Sequence, residues 1–304
     1  MKFRIIFASI ILVLIPVSIF AASLSPSVME VSVQRGETIK QKLTVINTKT
    51  IEQTYYLDVI KFEPSGVGGT PSFIPFEEDH SGLADWIGLA FSEFVVPANS
   101  KYEIPFTISI PSEALSGGYY AAITVSQAPS DLVADNGAMV EAKTAALILL
   151  TVEGETNEKL VLLDFSKKSE WPHSRIDGLY EFRLQNQGNV HVTPTGIIKL
   201  KDFFGRTVDE FDANPSVGRV LPNSTRQFLV GSETPKNFFE SAKDQMRLFA
   251  IGPMTAELSL KYGQSEQTIT SNFDFWYVPW QIMVVDVVLV VAILLIYSLA
   301  RKRK

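Results

Sequence analysis

Twenty residues near the C-terminus, from Trp280 to Leu299, are almost entirely apolar. At about 1.5 Å per residue a helix of that length matches the roughly 30 Å hydrocarbon core of a bilayer. Arg301, Lys302, Arg303 and Lys304 follow at once, and the positive-inside tendency assigns such a tail to the cytoplasm and the preceding residues to the other side. Trp276, Tyr277 and Trp280 stand where interfacial aromatics belong, and Pro279 suits the first helical turn, where its missing N–H costs nothing. The reading is a span at 279–299 and a basic tail at 300–304, against the alternative of a buried helix in a soluble protein. Asp286 lies within the span, where a carboxylate costs about 2.5–3.5 kcal/mol at the helix centre. It therefore calls for a membrane partner, a proton, or a path to the outer interface.

The opposite end reads as an export signal at 1–22. Lys2 and Arg4 precede an apolar run from Ile5 to Phe20, and the small residues Ala21, Ala22 and Ser23 follow. Cleavage after Ala21 and after Ser23 both fit, and an uncleaved anchor helix is the other reading. Between the two ends 21 basic residues face 32 acidic ones, a net charge of −11. Such a surface repels phosphate backbones and so excludes nucleic acid as a partner. With no cysteine, an exported ectodomain has to be held by core packing alone.

Strict alternation of apolar and polar residues marks strands with one buried face. In 102–110, Tyr102, Ile104, Phe106, Ile108 and Ile110 alternate with Glu103, Pro105, Thr107 and Ser109; Pro105 implies an edge strand or a position outside the hydrogen-bond ladder. Similar runs occupy 39–45, 119–126, 180–184 and 256–262, with turn residues between them at sandwich-like intervals. The expected fold class is all-β, two immunoglobulin-like β-sandwich domains plus one C-terminal transmembrane α-helix. Such units run to about 100 residues, and the polar stretch 153–159 is the expected linker, which gives sandwiches at 23–153 and 154–278. Residues 63–85 read as a long insertion in the first, holding Gly66, Gly68 and Gly69 and an acidic cluster. Residues 236–245 read as a helical excursion in the second.

The segments "VSVQRGETIKQKLTVINTKT", "FVVPANSKYEIPFTISIP", "SGGYYAAITV", "LQNQGNVHVTPTGIIKLKDFFG" and "VLPNSTRQFLVG" resemble the WxL-interacting proteins of Gram-positive surfaces, which share this order of signal, two immunoglobulin-like domains, membrane helix and basic tail. The resemblance implies a first domain that binds peptidoglycan or a neighbouring wall protein and a second that binds a partner protein. It transfers no binding residue.

Catalytic chemistry has little to work with. His80, His173 and His191 are far apart in sequence, and no phosphate loop, nucleophile elbow or His-Glu-x-x-His helix occurs. The chain is expected not to be an enzyme and to use no cofactor or metal. Glu77, Glu78, Asp79 and Asp85 could ligate calcium but lack the spacing of a dedicated loop, so a solvated acidic loop is preferred. Trp86, Trp171, Tyr55, Tyr119 and Tyr120 could stack on sugars or fill the core. Alternation places Tyr119 with Ile123 and Val125 and turns Tyr120 outward with Thr124. Tyr120, Trp86, Glu77, Glu78 and Asp79 are the candidate ligand-binding residues. The expected function is a single-pass surface binding or adhesion protein that recognises wall polymer or another surface protein. The alternatives are a chaperone-like assembly subunit that takes a client by strand addition, and a carbohydrate-active enzyme.

Overall fold

The computed structural model describes residues 23–74, 78–79, 81–127, 143–168, 175–176, 178–232, 236–248 and 250–302. The expected signal at 1–22, and Glu77, His80, Trp171, His173, Arg303 and Lys304, lie outside them.

The alternating runs become strands. The first unit holds β1 (Ser23–Ser25), β2 (Val28–Val33), β3 (Thr38–Asn47), β4 (Gln53–Ser65), β5 (Thr70–Ile74), α1 (Leu83–Trp86), β6 (Ile87–Leu89), β7 (Glu93–Val96), β8 (Ser100–Ser109), β9 (Gly117–Ser126) and β10 (Thr144–Val152). One sheet runs β1-β3-β8-β6; the other runs β2-β10-β9-β4-β5, with β7 also on β4. All neighbours are antiparallel except β2, which lies parallel to β10 with Val28 opposite Leu147. Leu43, Val45, Ile104, Phe106 and Ile108 from the first sheet meet Tyr55, Leu57, Ile123, Ile148 and Leu150 from the second in one core. Each such side chain contributes about 1.5–3 kcal/mol over its exposed state. Pro105 pairs with Lys42 of β3, while β6 covers only Ile108, Thr107 and Phe106. The proline thus sits where β8 has one neighbour and an N–H is not missed.

The second unit holds β11 (Leu160–Lys167), β12 (Tyr180–Asn186), β13 (Thr195–Asp202), β14 (Thr207–Asp212), β15 (Thr225–Val230), α2 (Phe238–Leu248), β16 (Gly252–Tyr262) and β17 (Gln267–Tyr277). A β11-β12-β15 sheet faces a β14-β13-β16-β17 sheet, and Tyr180, Phe182, Leu184, Ile198, Leu200 and Leu258 are among the residues of its separate core. The fold is all-β, two immunoglobulin-like sandwiches followed by one apolar helix, α3 (Trp280–Lys302). Among the described residues α3 is the one helix long and apolar enough to cross a membrane, and none of its apolar window is buried against the protein.

Three local expectations need correction. Tyr277 is not an interfacial aromatic: the period of β17 turns it inward, and only 1 % of its surface is exposed, whereas Trp276 and Trp280 are accessible. The glycine-rich insertion is not a loose loop, because β4 and β5 pair from Lys61↔Ile74 to Ser65↔Thr70 and carry the glycines at the tip of a hairpin. The helical excursion begins two residues later than read and runs on to Leu248.

Candidate functional site

The outer face of the β2–β5 sheet is apolar as well as the inner. Alternation along β9 commits Ala121, Ile123 and Val125 to the first core and so places Tyr120 and Ala122 on the other side. Along β10, whose "TAALILLTV" is apolar at nearly every position, Ile148 and Leu150 point in while Leu147 and Leu149 point out. Runs of this kind belong to strands covered on both faces. Phe62 of β4 completes the outer cluster, and Leu221 from the second sandwich covers part of it.

The second sandwich is held there by a set of named contacts. The Gly118 N–H donates to Asn189 O at 2.8 Å, and Asn189 also accepts the Asn157 N–H at its Oδ1, 2.7 Å away, which ties the linker to the junction. At the hairpin tip Val67 O accepts the Gln227 N–H at 2.6 Å. Glu30 is paired with Arg219 and lies 3.7 Å from His191 Nε2. His191 sits edge-on to Tyr120, ring centroids 5.8 Å apart, and the Tyr120 hydroxyl is 3.5 Å from His191 Nδ1. Tyr120 does leave the first core as its register requires, but it meets the second sandwich rather than solvent; burial raises its pKa above the usual phenol value. His191 is pushed below the ordinary imidazole value, chiefly by burial, with Glu30 opposing and Arg219 reinforcing the shift.

Where the junction gapes, it leaves a cavity of about 220 Å³ walled by Val28, Phe62, Leu147 and Leu149 on one side and by Arg219 and Arg226 on the other. A wider cleft of about 680 Å³, which shares Phe62 and Leu221, continues past Tyr120 to Lys61. Arg226 is the unusual group. Its Nη1 donates to Arg219 O at 2.9 Å, its guanidinium carbon lies 5.5 Å from the Phe228 ring centroid, and its Nε is buried without a partner. Burial, and then the Arg219 charge, lower its pKa, yet a guanidinium stays protonated. The guanidinium passes between two glycines: a Cβ on Gly69 would stand 2.5 Å from Arg226 Cζ, and one on Gly218 would stand 2.9 Å from it. The arrangement thus offers apolar walls to aliphatic or aromatic groups and one under-satisfied cation to an acidic oxygen.

The candidates read from sequence fall in different places. Tyr120 lines the wider cleft. Asp79 stands near it, holding Lys61 Nζ at 2.5 Å, and that bond keeps its carboxyl well below the usual range. Glu78 is exposed nearby. Trp86 packs on Tyr119 at 4.5 Å between ring centroids, over the rim of the first core. No group of three or more potential metal ligands exists among the described residues. Arg219 and Arg226 were missed because seven positions separate them in sequence; only the fold brings them to the glycines of a hairpin from the other sandwich.

No protein-family model matches the sequence, and no curated protein matches it. Among solved structures the chain is similar to the class 5 fimbriae chaperone CfaA, at 14 % identity over 85 % of this chain and 100 % of that one, with a TM-score of 0.40. It is similar also to the Escherichia coli chaperone DraB, at 9 % identity over 84 % and 97 %, with a TM-score of 0.38. A further likeness is to the CsuC–CsuE pre-assembly complex of a chaperone and tip adhesion subunit from Acinetobacter baumannii, at 15 % identity over 69 % and 90 %, with a TM-score of 0.36.

Proposed function

We propose that this chain is a non-enzymatic, membrane-anchored surface protein that holds a segment of another protein in the groove between its two sandwiches. In this reading α3 crosses the bilayer, Arg301 and Lys302 remain on the cytoplasmic side, and the sandwiches stand outside. The observation that carries the proposal is the open junction: apolar Phe62, Leu147 and Leu149 face a cavity whose opposite wall includes the half-buried Arg226, whose Nε has no partner. A polar wall polymer, which the resemblance to WxL-interacting proteins brings to mind, would leave those three side chains without matching contacts. An apolar peptide segment bearing an acidic group satisfies both walls.

The test is photocrosslinking in the native membrane, with benzoylphenylalanine in place of Leu149 in the full-length chain. The expected result is a discrete protein adduct that weakens when Arg226 is changed to Gln. Absence of a protein adduct, or an adduct that disperses on muramidase digestion, would remove a protein ligand from this groove.

A second reading, strand addition, rests on a different observation. β2 is the outer strand of its sheet, paired with β10 on one side, and its Val28 lines the cavity. A client strand laid along the free side of β2 would run into the groove. Crosslinks from Ser27 and Ser32 with a regular two-residue period in the client would favour this mode over side-chain capture alone.

A further inference from the structure

The end of the second sandwich from which α3 departs collects large apolar side chains that fill no core. The turn between β13 and β14 presents Phe203 and Phe204, 73 % and 90 % exposed, their rings 5.7 Å apart and edge to face. This turn is fixed: Asp202 Oδ1 accepts the N–H groups of Phe204 at 3.0 Å and of Arg206 at 2.9 Å, and Gly205 takes a φ of +76°. Ile251, 64 % exposed, lines one hollow with the two phenylalanines. Strand register places this group beside the membrane helix. Asp202 pairs with Met254 and Gly252 with Tyr277, so the turn, Ile251 and the last residues of β17 share one end of the sheet. On the same end α2 leans on the start of α3. Phe238 contacts Trp280 at 5.8 Å between centroids, and Gln245 Oε1 accepts the Ile282 N–H at 3.0 Å, while Phe239 and Met246 of α2 stay exposed.

Apolar groups on a rigid turn, left in water, lose about 25 cal/mol per Å² that burial would return, and exposed patches of this kind mark contact surfaces. What covers this one follows from continuity. If α3 crosses the bilayer, its first turn at Trp280 fixes the level of the outer interface, where aromatic side chains concentrate. Phe203, Phe204 and Ile251 lie at the same end of the second sandwich, Phe239 and Met246 lie on the helix that packs against that first turn, and the exposed Lys243 and Arg247 of α2 suit phosphate head groups.

We infer that this end of the second sandwich is a lipid-binding base, which inserts the Phe203–Phe204 turn and the exposed side of α2 into the head-group and upper acyl region and holds the ectodomain at a set angle to the membrane. The inference rests on the reading of α3 as a span. It makes the anchor a three-point contact instead of a single flexible tether, and it fixes where the groove can meet a partner.

Because the chain contains no cysteine, single substitutions can report depth in the full-length protein reconstituted into phosphatidylethanolamine–phosphatidylglycerol vesicles. An environment-sensitive fluorophore is placed in turn at Phe204→Cys, Val290→Cys and Ser265→Cys, the last in the β16–β17 turn at the far end of the sheet. Lipids bearing a quencher high on the acyl chain should quench the Phe204→Cys label several-fold more than the Ser265→Cys label, and deep quenchers should act on Val290→Cys. A Phe204→Cys label as unquenched as Ser265→Cys, with Val290→Cys still quenched, overturns the base while the span stands. If Val290→Cys is also unquenched, the span fails and the base with it. As a second measurement that does not alter the reporter's own position, an Ile251→Cys label should lose most of its quenching when Phe203 and Phe204 are both changed to Ser; undiminished quenching would overturn their inserting role.

Discussion

Asn47 and Asn186 hold equivalent positions in the two sandwiches and make the same bonds. Each ends a strand, is buried, and accepts at Oδ1 the N–H two residues on, from Lys49 at 3.0 Å and from Gly188 at 2.8 Å. Each donates from Nδ2 to the carbonyl four residues on, Ile51 O at 2.9 Å and Val190 O at 2.8 Å. Each also reaches a backbone carbonyl distant in sequence, Val96 O at 3.1 Å and Val220 O at 2.8 Å. Val96 and Val220 lead into matching turns, in which Asn99 and Asn223 take positive φ and Ser100 and Ser224 each donate from Oγ to a carbonyl three residues back at 2.7 Å. The two units are versions of one plan.

The first prediction concerns these asparagines. Asn186→Ala leaves the buried Val190 carbonyl and Gly188 N–H without the partner Asn186 gave them, at roughly 1–3 kcal/mol for each group, while Val220 O keeps the Val192 N–H. The urea midpoint of the detergent-solubilised chain should fall clearly, and Asn47→Ala should act likewise on the first sandwich. A midpoint unchanged in both variants would mean that neither asparagine supports its sandwich.

A second prediction is a pH dependence at the junction. His191 has a folded pKa below 6.5, so between that lowered value and 6.5 the unfolded chain binds more protons than the folded one. Stability from this group is complete above 6.5 and falls as the pH drops through that window, by at most about 1.4 kcal/mol per pH unit. Glu30, Arg219 and Glu158 are the charges that act on it. In urea titrations at about pH 7.5, 6.5 and 5.5 the wild type should lose more stability on acidification than His191→Gln. Parallel losses would show that His191 does not titrate with unfolding.

The fold was legible because both halves obey a period of two, and the junction was not because it breaks that rule without announcing why. Along 102–110 alternation alone identifies Ile104, Phe106 and Ile108 as core. The run "TAALILLTV" does not alternate, as a strand covered on both faces need not, and nothing in it names the cover, which is Leu221 from the second sandwich. Tyr277 shows the opposite failure. Next to an apolar span it reads as an interfacial aromatic, yet the phase of β17 decides its direction, and neighbouring Trp276 takes the exposed side. Arg226 had no local signal, since the glycines that make room for it are 157 and 8 positions away in sequence.

The third prediction separates stability from binding in the groove. Arg226→Met keeps side-chain bulk and removes a half-buried charge whose Nε has no partner. Removing the unpartnered Nε donor relieves a cost of about 1–3 kcal/mol, and the lost bond to Arg219 O, worth about as much for a charged donor, offsets it. Thermal unfolding should therefore occur at an unchanged or higher temperature, while the Leu149 photoadduct weakens. A strongly destabilised Arg226→Met protein would instead assign the guanidinium to the packing of the junction.

The last prediction tests how the body is joined to the apolar helix. The first turn of any helix leaves N–H groups without intrahelical partners, and Gln245 supplies an acceptor to one of them, Ile282 N–H, from outside the helix. It also pairs through Nε2 with Gln281; both side chains are buried, so neither lost bond is replaced freely by water. Gln245→Leu should therefore cost about 0.5–2 kcal/mol, the range for loss of a capping group, and should loosen α2 from α3 rather than unfold either sandwich. Hydrogen exchange at the Ile282 amide should rise, and spin labels at Lys243→Cys and Val284→Cys should report a broadened distance. Gln245→Glu keeps the acceptor for Ile282 but not the donor to Gln281, and should fall between the two. If Gln245→Leu leaves both exchange and distance unchanged, the hold on α3 comes from Phe238 against Trp280, and Phe238→Ala becomes the variant that releases it.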